Sequence, residues 1–201
     1  MAAHIDYYFT PVSPWAYLGA PRFNAMVEKH GATVRVMPVD LGRVFSVSGG
    51  LPLAKRPAQR QAYRMMELKR WRSFLDMPLN LQPKGFPCDA ALASRLIIAA
   101  RQTAQKDALG LSLAIGRAVW AEERRVDDPD TLEEIVTECG LDPAALFAAA
   151  DSEPVTAAYE ADTRKAMEIQ IFGAPTYALD GELFWGQDRL DFLDRALAKA
   201  G

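Results

Sequence analysis

The stretch YYFTPVSPWAYLG, residues 7–19, decides the fold. Upstream of its centre, Ile5, Tyr7 and Phe9 recur with a period of two, the mark of a strand. Downstream, Tyr17, Leu18, Pro21, Phe23, Met26 and Val27 fall at helical spacing over residues 14–30. Gly31 follows at the place where a helix end favours glycine. Ser13 and Pro14 stand at the junction. Serine is a favoured N-cap and proline is favoured at the first helical position, so this pair marks where a strand hands over to a helix. From Thr33, TVRVMPVDL reads as a second strand with Val34 and Val36 on one side. The three elements form a β-α-β unit, which prefers right-handed parallel pairing.

Working outward, the middle of the chain changes character. From about Pro57 to Glu168 it is helical almost throughout: Pro57–Leu75, Asp89–Gln105, Ala108–Glu123, Asp130–Cys139, Pro143–Ala149 and Glu153–Gln170 all show helical periodicity. Asp-Pro pairs at Asp128-Pro129 and Asp142-Pro143 are helix-start signals. The end returns to strands. Ala174 to Leu179 is a strand entered through Pro175, Asp180-Gly181 is a two-residue hairpin turn, and Glu182 to Trp185 is the answering strand. Asp188 to Ala200 reads as a last helix with Leu190, Leu193 and Leu197 on its apolar face. The order is β-α-β, a helical block, then β-β-α. Without the block this is the minimal thioredoxin order, and the block is too long to be a loop. The expected class is α/β, thioredoxin-like, with residues 1–45 and 171–201 as one domain and residues 46–170 as an all-helical insertion domain.

Composition narrows the function. Half of the 201 residues are hydrophobic, enough for a real core. The net charge of −3 argues against nucleic acid as the main partner, because no basic excess is there to neutralise phosphates. Cys88 and Cys139 are far apart, with no CxxC and no His/Cys spacing suited to a metal, so no metal site is expected. The start runs directly into a strand pattern, and no stretch is long and apolar enough to span a bilayer, so a soluble cytoplasmic protein is expected.

Ser13 admits two readings. A serine followed by proline at a helix start is, taken alone, more often a cap than a chemical group. Its location tilts the balance. It lies at the carboxyl end of the first strand, where open α/β sheets gather ligands, and the N–H groups of the helix start favour an anion. Thioredoxin-type proteins keep a reactive cysteine there, stabilised as thiolate by the helix end. Ser13-Pro14-Trp15-Ala16 has no cysteine. A redox cycle of a protein thiol at this position is excluded, while a thiolate brought by a ligand is not. Pro175 is either a strand-start proline or a cis proline facing that helix, which would let Ala174 offer its backbone to an extended ligand. Asp188 reads either as a helix-start cap, with Arg189 a solvated side chain, or as the partner of the ammonium of an α-amino acid whose carboxylate meets the helix N–H groups.

The motifs YYFTPVSPWAYLG, LGRVF and FGAPTYALDGELFWGQDRLDF together resemble the 2-hydroxychromene-2-carboxylate isomerase family. That family belongs to the kappa-class glutathione transferases in the DsbA-like branch of the thioredoxin superfamily. The resemblance covers essentially the whole chain. It implies that Ser13 is the active-site serine, whose hydroxyl hydrogen-bonds the sulfur of glutathione. It implies that Ala174, before Pro175, pairs with the cysteinyl backbone, and that Trp185, Gly186, Gln187 and Asp188, with Arg189 beside them, hold the γ-glutamyl end. The implied reaction is a glutathione-dependent isomerisation of 2-hydroxychromene-2-carboxylate to trans-o-hydroxybenzylidenepyruvate in aromatic catabolism, performed by a homodimer. A kappa-type transferase or peroxidase that consumes glutathione is the alternative. A third reading is a thioredoxin-like binding or chaperone module without activity. A serine hydrolase fits poorly, since there is no G-x-S-x-G elbow and neither His4 nor His30 has an evident route to Ser13.

The chain departs from the family after LGRVF. Ser46 and Gly50 stand where many members have a lysine and an asparagine. The nearest cations are Lys55, Arg56 and Arg60, which bind a substrate carboxylate in one reading and are the solvated start of a helix in the other. Phe86 is either an aromatic wall for a small aromatic carboxylate or an ordinary core residue.

Overall fold

In the computed structural model, which describes residues 2–200, β1 (His4–Phe9) is the axis of the sheet. It runs parallel to β2 (Thr33–Pro38) on one side and antiparallel to β3 (Thr176–Leu179) on the other. Beyond β3, β4 (Glu182–Trp185) pairs antiparallel, so the strand order is β2-β1-β3-β4. The period of two is realised in the register: Ile5 lies across from Val34 and Leu179, and Tyr7 from Val36 and Tyr177. The rings of Tyr7 and Tyr177 stack at 5.1 Å, and Phe23 of α1 (Pro14–His30) closes against both. Helix α1 stops at Gly31, whose φ of 58° lies in the left-handed region that glycine tolerates. The hairpin turn is as the sequence predicts, with φ of 49° at Asp180 and 86° at Gly181, the pattern of a type I′ turn.

The opposite face of the sheet presents Tyr8 and Met37, which pack with Val39, Val44, Ala166 and Ile171 under α2 (Leu41–Ser48) and α8 (Glu153–Glu168). The sequence pattern extends the second strand to Leu41 and marks no helix between there and Pro57, yet α2 forms in that stretch. The strand ends at Pro38, and Asp40 starts the helix by accepting the N–H groups of Gly42 and Arg43 at 2.9 and 3.2 Å. Other boundaries also move. After α3 (Ala58–Leu75), the break between α4 (Ala91–Thr103) and α5 (Gln105–Trp120) falls at Ala104, earlier than the spacing suggested. Then come α6 (Pro129–Glu138) and α7 (Pro143–Ala150), each capped by the aspartate before its proline. Residues Gln187–Arg189 form a 3-10 turn, and the last helix, α9, spans Leu190–Ala200.

The helical segment does not stand apart from the sheet. One buried cluster runs from Ile5, Tyr7 and Val36 through Tyr17 and Leu18 to Leu96, Ile97, Ile115 and Trp120. A buried carboxylate reinforces the join. Asp162 of α8 receives Arg101 of α4 at 2.6 Å and Arg35 of β2 at 2.9 Å, and Arg101 also donates to the carbonyl of Val36.

Candidate active site

A cleft of about 790 Å³ opens at the carboxyl ends of β1 and β2, between the sheet and the first turns of α2 and α3. Ser13 sits in its wall, 7% exposed. Three interactions fix it. Its N–H donates to the carbonyl of Thr10 at 3.0 Å, closing a tight turn. The indole of buried Trp120 donates to the carbonyl of Val12 at 3.2 Å, pinning the residue before it. Its Oγ accepts the N–H of Ala16 at 3.3 Å, so it is the N-cap of α1. The cap uses an oxygen lone pair and leaves the hydroxyl proton free. Among the described residues that proton has no acceptor. The first turn of α1 holds no acidic residue, so the positive end of the helix is uncompensated. A hydroxyl donor and a helix start without an acidic residue therefore meet at one point, an arrangement that suits a thiolate or another soft anion.

The opposite wall is Phe172, Gly173, Ala174 and Trp185. The Ala174–Pro175 peptide is cis, as one reading of the sequence had it, and so is Phe86–Pro87. The Pro175 carbonyl accepts the N–H of Gly186 at 2.8 Å, while the backbone of Ala174 takes part in none of the ladder or turn bonds among the described residues. Trp185 is half exposed and meets Phe172 edge-on at 4.7 Å. Gly173 allows this, because a Cβ there would run into the indole.

The remaining residues of that motif are placed differently. Gln187 is 2% exposed and faces α1: its side chain and its carbonyl both accept from Arg22, the carbonyl at 2.8 Å. Asp188 and Arg189 pair with each other at 3.0 Å at the surface. None of the three lines the cleft, although the Asp188 carboxylate folds back against Gly186, next to Trp185.

The third side of the cleft is cationic. Arg56, Arg60 and Arg64 line it; Arg60 and Arg64 are one turn apart on a face of α3, and Arg56 precedes that helix in extended backbone. Arg56 donates to the carbonyl of Leu51 at 2.8 Å and lies 5.9 Å over Phe45. Phe86 lines the cleft and packs on Trp120 at 4.9 Å. Lys55 does not; it ends a short 3-10 turn (Leu53–Lys55) and points to solvent. Ser46 is spent on the carbonyl of Arg43 at 2.7 Å, and Gly50 lies in the lining beneath Phe45. Arg64 escaped the sequence reading. An arginine in a polar helix looks solvated until Phe86 and Trp120, remote in sequence, are brought under it. Cys88 also lines the cleft, but burial, with Asp127 adding to it, pushes its thiol up to about 11, so it stays protonated at neutral pH. Among the described residues no group of three or more His, Cys, Asp and Glu side chains is arranged to hold a metal, and no helix is long and apolar enough to cross a membrane.

Comparison with known proteins gives a consistent picture. The model of a DSBA-like thioredoxin domain matches residues 4–198. The 2-hydroxychromene-2-carboxylate isomerase of Pseudomonas putida is 29% identical over 197 residues, which are 97% of this chain and 94% of that protein. The glutathione S-transferase kappa 1 of Caenorhabditis elegans is 27% identical, over 94% of this chain and 88% of its own. Among solved structures, a 2-hydroxychromene-2-carboxylate isomerase superposes with a TM-score of 0.78 at 28% identity, covering 98% and 95% of the two chains.

Proposed function

The chain belongs to the DSBA-like thioredoxin domain family, and from that premise we propose that it is a glutathione-dependent isomerase of 2-hydroxychromene-2-carboxylate. The observation that carries this reading is the uncommitted hydroxyl proton of Ser13 at the start of α1, whose first turn holds no acidic residue, in a wall where a redox cysteine would otherwise stand. The residues present fit glutathione. The cleft is of a size that accepts a tripeptide, one wall offers the free backbone of Ala174 beside Pro175, and the helix end suits an anionic sulfur. Trp185 and Gly186 would flank the γ-glutamyl end. Asp188 would hold its ammonium by exchanging Arg189 for it, and a surface ion pair is worth only about 0–1 kcal/mol.

Glutathione, when bound, supplies a sulfur nucleophile that adds reversibly to a conjugated carbon and leaves unconsumed. The protein's part is electrostatic and positional. Ser13 donates a hydrogen bond to the sulfur and so favours the thiolate, keeping its proton and without becoming a nucleophile itself. Pro14 and Trp15 carry no backbone or side-chain charge to oppose that anion. Phe86 and Trp185 form apolar walls that confine a planar aromatic acid, and Arg56 and Arg60 supply positive charge for its carboxylate. The enzyme acts in the cytoplasm, where a reducing pool keeps glutathione and the two free cysteines reduced. It pairs as a homodimer, for which the exposed Tyr63, Met66 and Phe74 on α3 are apolar surface to bury.

The likeness to a kappa-class transferase supports a second reading, in which glutathione stays on the electrophile or reduces a peroxide. One experiment separates the two: incubation with the chromene carboxylate and reduced glutathione, following substrate absorbance and free thiol together. The isomerase reading expects substrate to be converted with thiol unchanged. Loss of thiol in step with substrate assigns transfer. Absence of calorimetric binding of reduced glutathione at millimolar concentration removes both.

A further inference from the structure

Arg64 is a half-buried cation with no counter-charge among the described residues. Its guanidinium lies 5.7 Å over the ring of Trp120 and 6.0 Å over that of Phe86, and its one polar contact among the described residues is the sulfur of Met65 at 3.9 Å. Desolvation, with Arg56 beside it, pulls its pKa down to about 10. Two carboxylates share the cleft, and neither is ion-paired with it: Asp40 accepts the N–H groups that start α2, and Asp89 accepts the N–H of Ala91. A charge taken partly out of water without a partner is costly, so such groups are ordinarily paired. Here stacking on two rings holds the planar fork in place while its edge stays open to the cleft.

We propose that Arg64, with Arg60 one turn before it, is the carboxylate subsite of the cleft and takes the carboxylate of a flat conjugated acid as a two-pronged hydrogen-bonded pair. The proposal rests on reading the cleft as a ligand site. It goes beyond the isomerase assignment in naming the residue that selects acids over neutral analogues. A guanidinium fork matches a carboxylate in geometry and charge, and Phe86 beneath it extends the same apolar plane for the ring attached to that carboxylate. Two carboxylates have the required chemistry, that of the aromatic acid and the C-terminal one of glutathione.

Calorimetry with trans-cinnamate, neutral cinnamamide and reduced glutathione decides it, on the native chain and on Arg64→Gln and Arg64→Lys. The native chain is expected to bind cinnamate at least about tenfold more tightly than the amide, as a hydrogen-bonded charge contact implies. Arg64→Gln should bring cinnamate down to the level of the amide, with Arg64→Lys between. If Arg64→Gln instead weakens glutathione about tenfold and spares cinnamate, the subsite holds and its occupant is the peptide carboxylate. A folded Arg64→Gln protein that binds cinnamate and glutathione as the native chain does overturns the proposal. Should that variant not fold, the Arg64 Nε–H resonance of the native protein serves: cinnamate or glutathione must shift it and cinnamamide must not, and no shift with either acid refutes the subsite. The isomerase reading is judged separately, since Arg64-dependent cinnamate binding without turnover upholds the subsite and removes the reaction.

Discussion

At the scale of single residues, Ser13 has two jobs that substitution can separate. As a cap it accepts the N–H of Ala16, and as a donor it has a proton to give. Ser13→Ala removes both and is expected to cost about 1 kcal/mol of stability and roughly 10- to 100-fold in turnover, the worth of a hydrogen bond to a charged group. Ser13→Gly keeps most of the helix start, costing only about a few tenths of a kcal/mol, and should lose the same turnover. Ser13→Asp caps the helix and suits its dipole, so its melting temperature should hold or rise, yet it repels an anionic sulfur and should be inactive. Melting curves and rates measured side by side test this. If turnover follows melting temperature through the three variants, the serine is a cap and nothing more. The two readings of Ser13 were both legible in the sequence because they depend on local residue types. The setting of Arg64 was not, because it depends on two rings remote in sequence, Phe86 and Trp120, that the fold brings under its guanidinium.

At the scale of elements, the seam between α1 and the 3-10 turn at Gln187–Arg189 aligns the two walls of the cleft. Gly19 sits in it. A Cβ there would lie 2.8 Å from the Cβ of Gln187 and 3.1 Å from the hydroxyl of Tyr177. Alanine in a helix normally gains about 0.5–1 kcal/mol over glycine. Overpacking a tight contact costs about 1–3 kcal/mol. The atom met is the Cβ of a residue that Arg22 holds at both its carbonyl and its amide, so it cannot swing away. Gly19→Ala is thus expected to destabilise by about 1 kcal/mol, read as a lower urea midpoint, and to weaken glutathione binding by displacing Trp185 and Gly186. A raised midpoint would mean that the seam is soft. Strands β1, β3 and β4, helix α1 and the hairpin were legible, since alternation, an S-P start and a D-G turn are local signals. Helix α2 was not: it is eight residues long, and its start depends on Asp40 and on the packing of Val44 under the sheet. The break at Ala104 also lacks a signal, because no Gly or Pro marks it.

At the scale of the whole molecule, chain order and energetic order differ. The order of elements suggests a division into 1–45 with 171–201 and 46–170, and residues of both stretches line the cleft. The buried cluster ignores that division, running from β1 and β2 through α1 into α4 and α5. Helix α8 closes the join. Its Asp162 is fully buried between Arg101 and Arg35, its Thr163 accepts the N–H of Asp40 at 3.0 Å, and its Glu160 pairs with Arg43 of α2. Two segments that share one core should not unfold in turn, so urea unfolding followed by tryptophan fluorescence and by far-ultraviolet dichroism is expected to give coincident, single transitions. Asp162→Asn tests the join itself. It keeps the shape but leaves Arg101, largely buried, facing a neutral amide. Breaking a buried pair from one side costs about 3–5 kcal/mol, and the exposure of Arg35 puts the expectation near the lower end of that range. If the segments are coupled as the core implies, the variant's two probes shift together to a lower midpoint. If they separate, with helix lost before the fluorescence of the cleft changes, the helical segment is a domain in its own right and the cleft is the interface between two bodies.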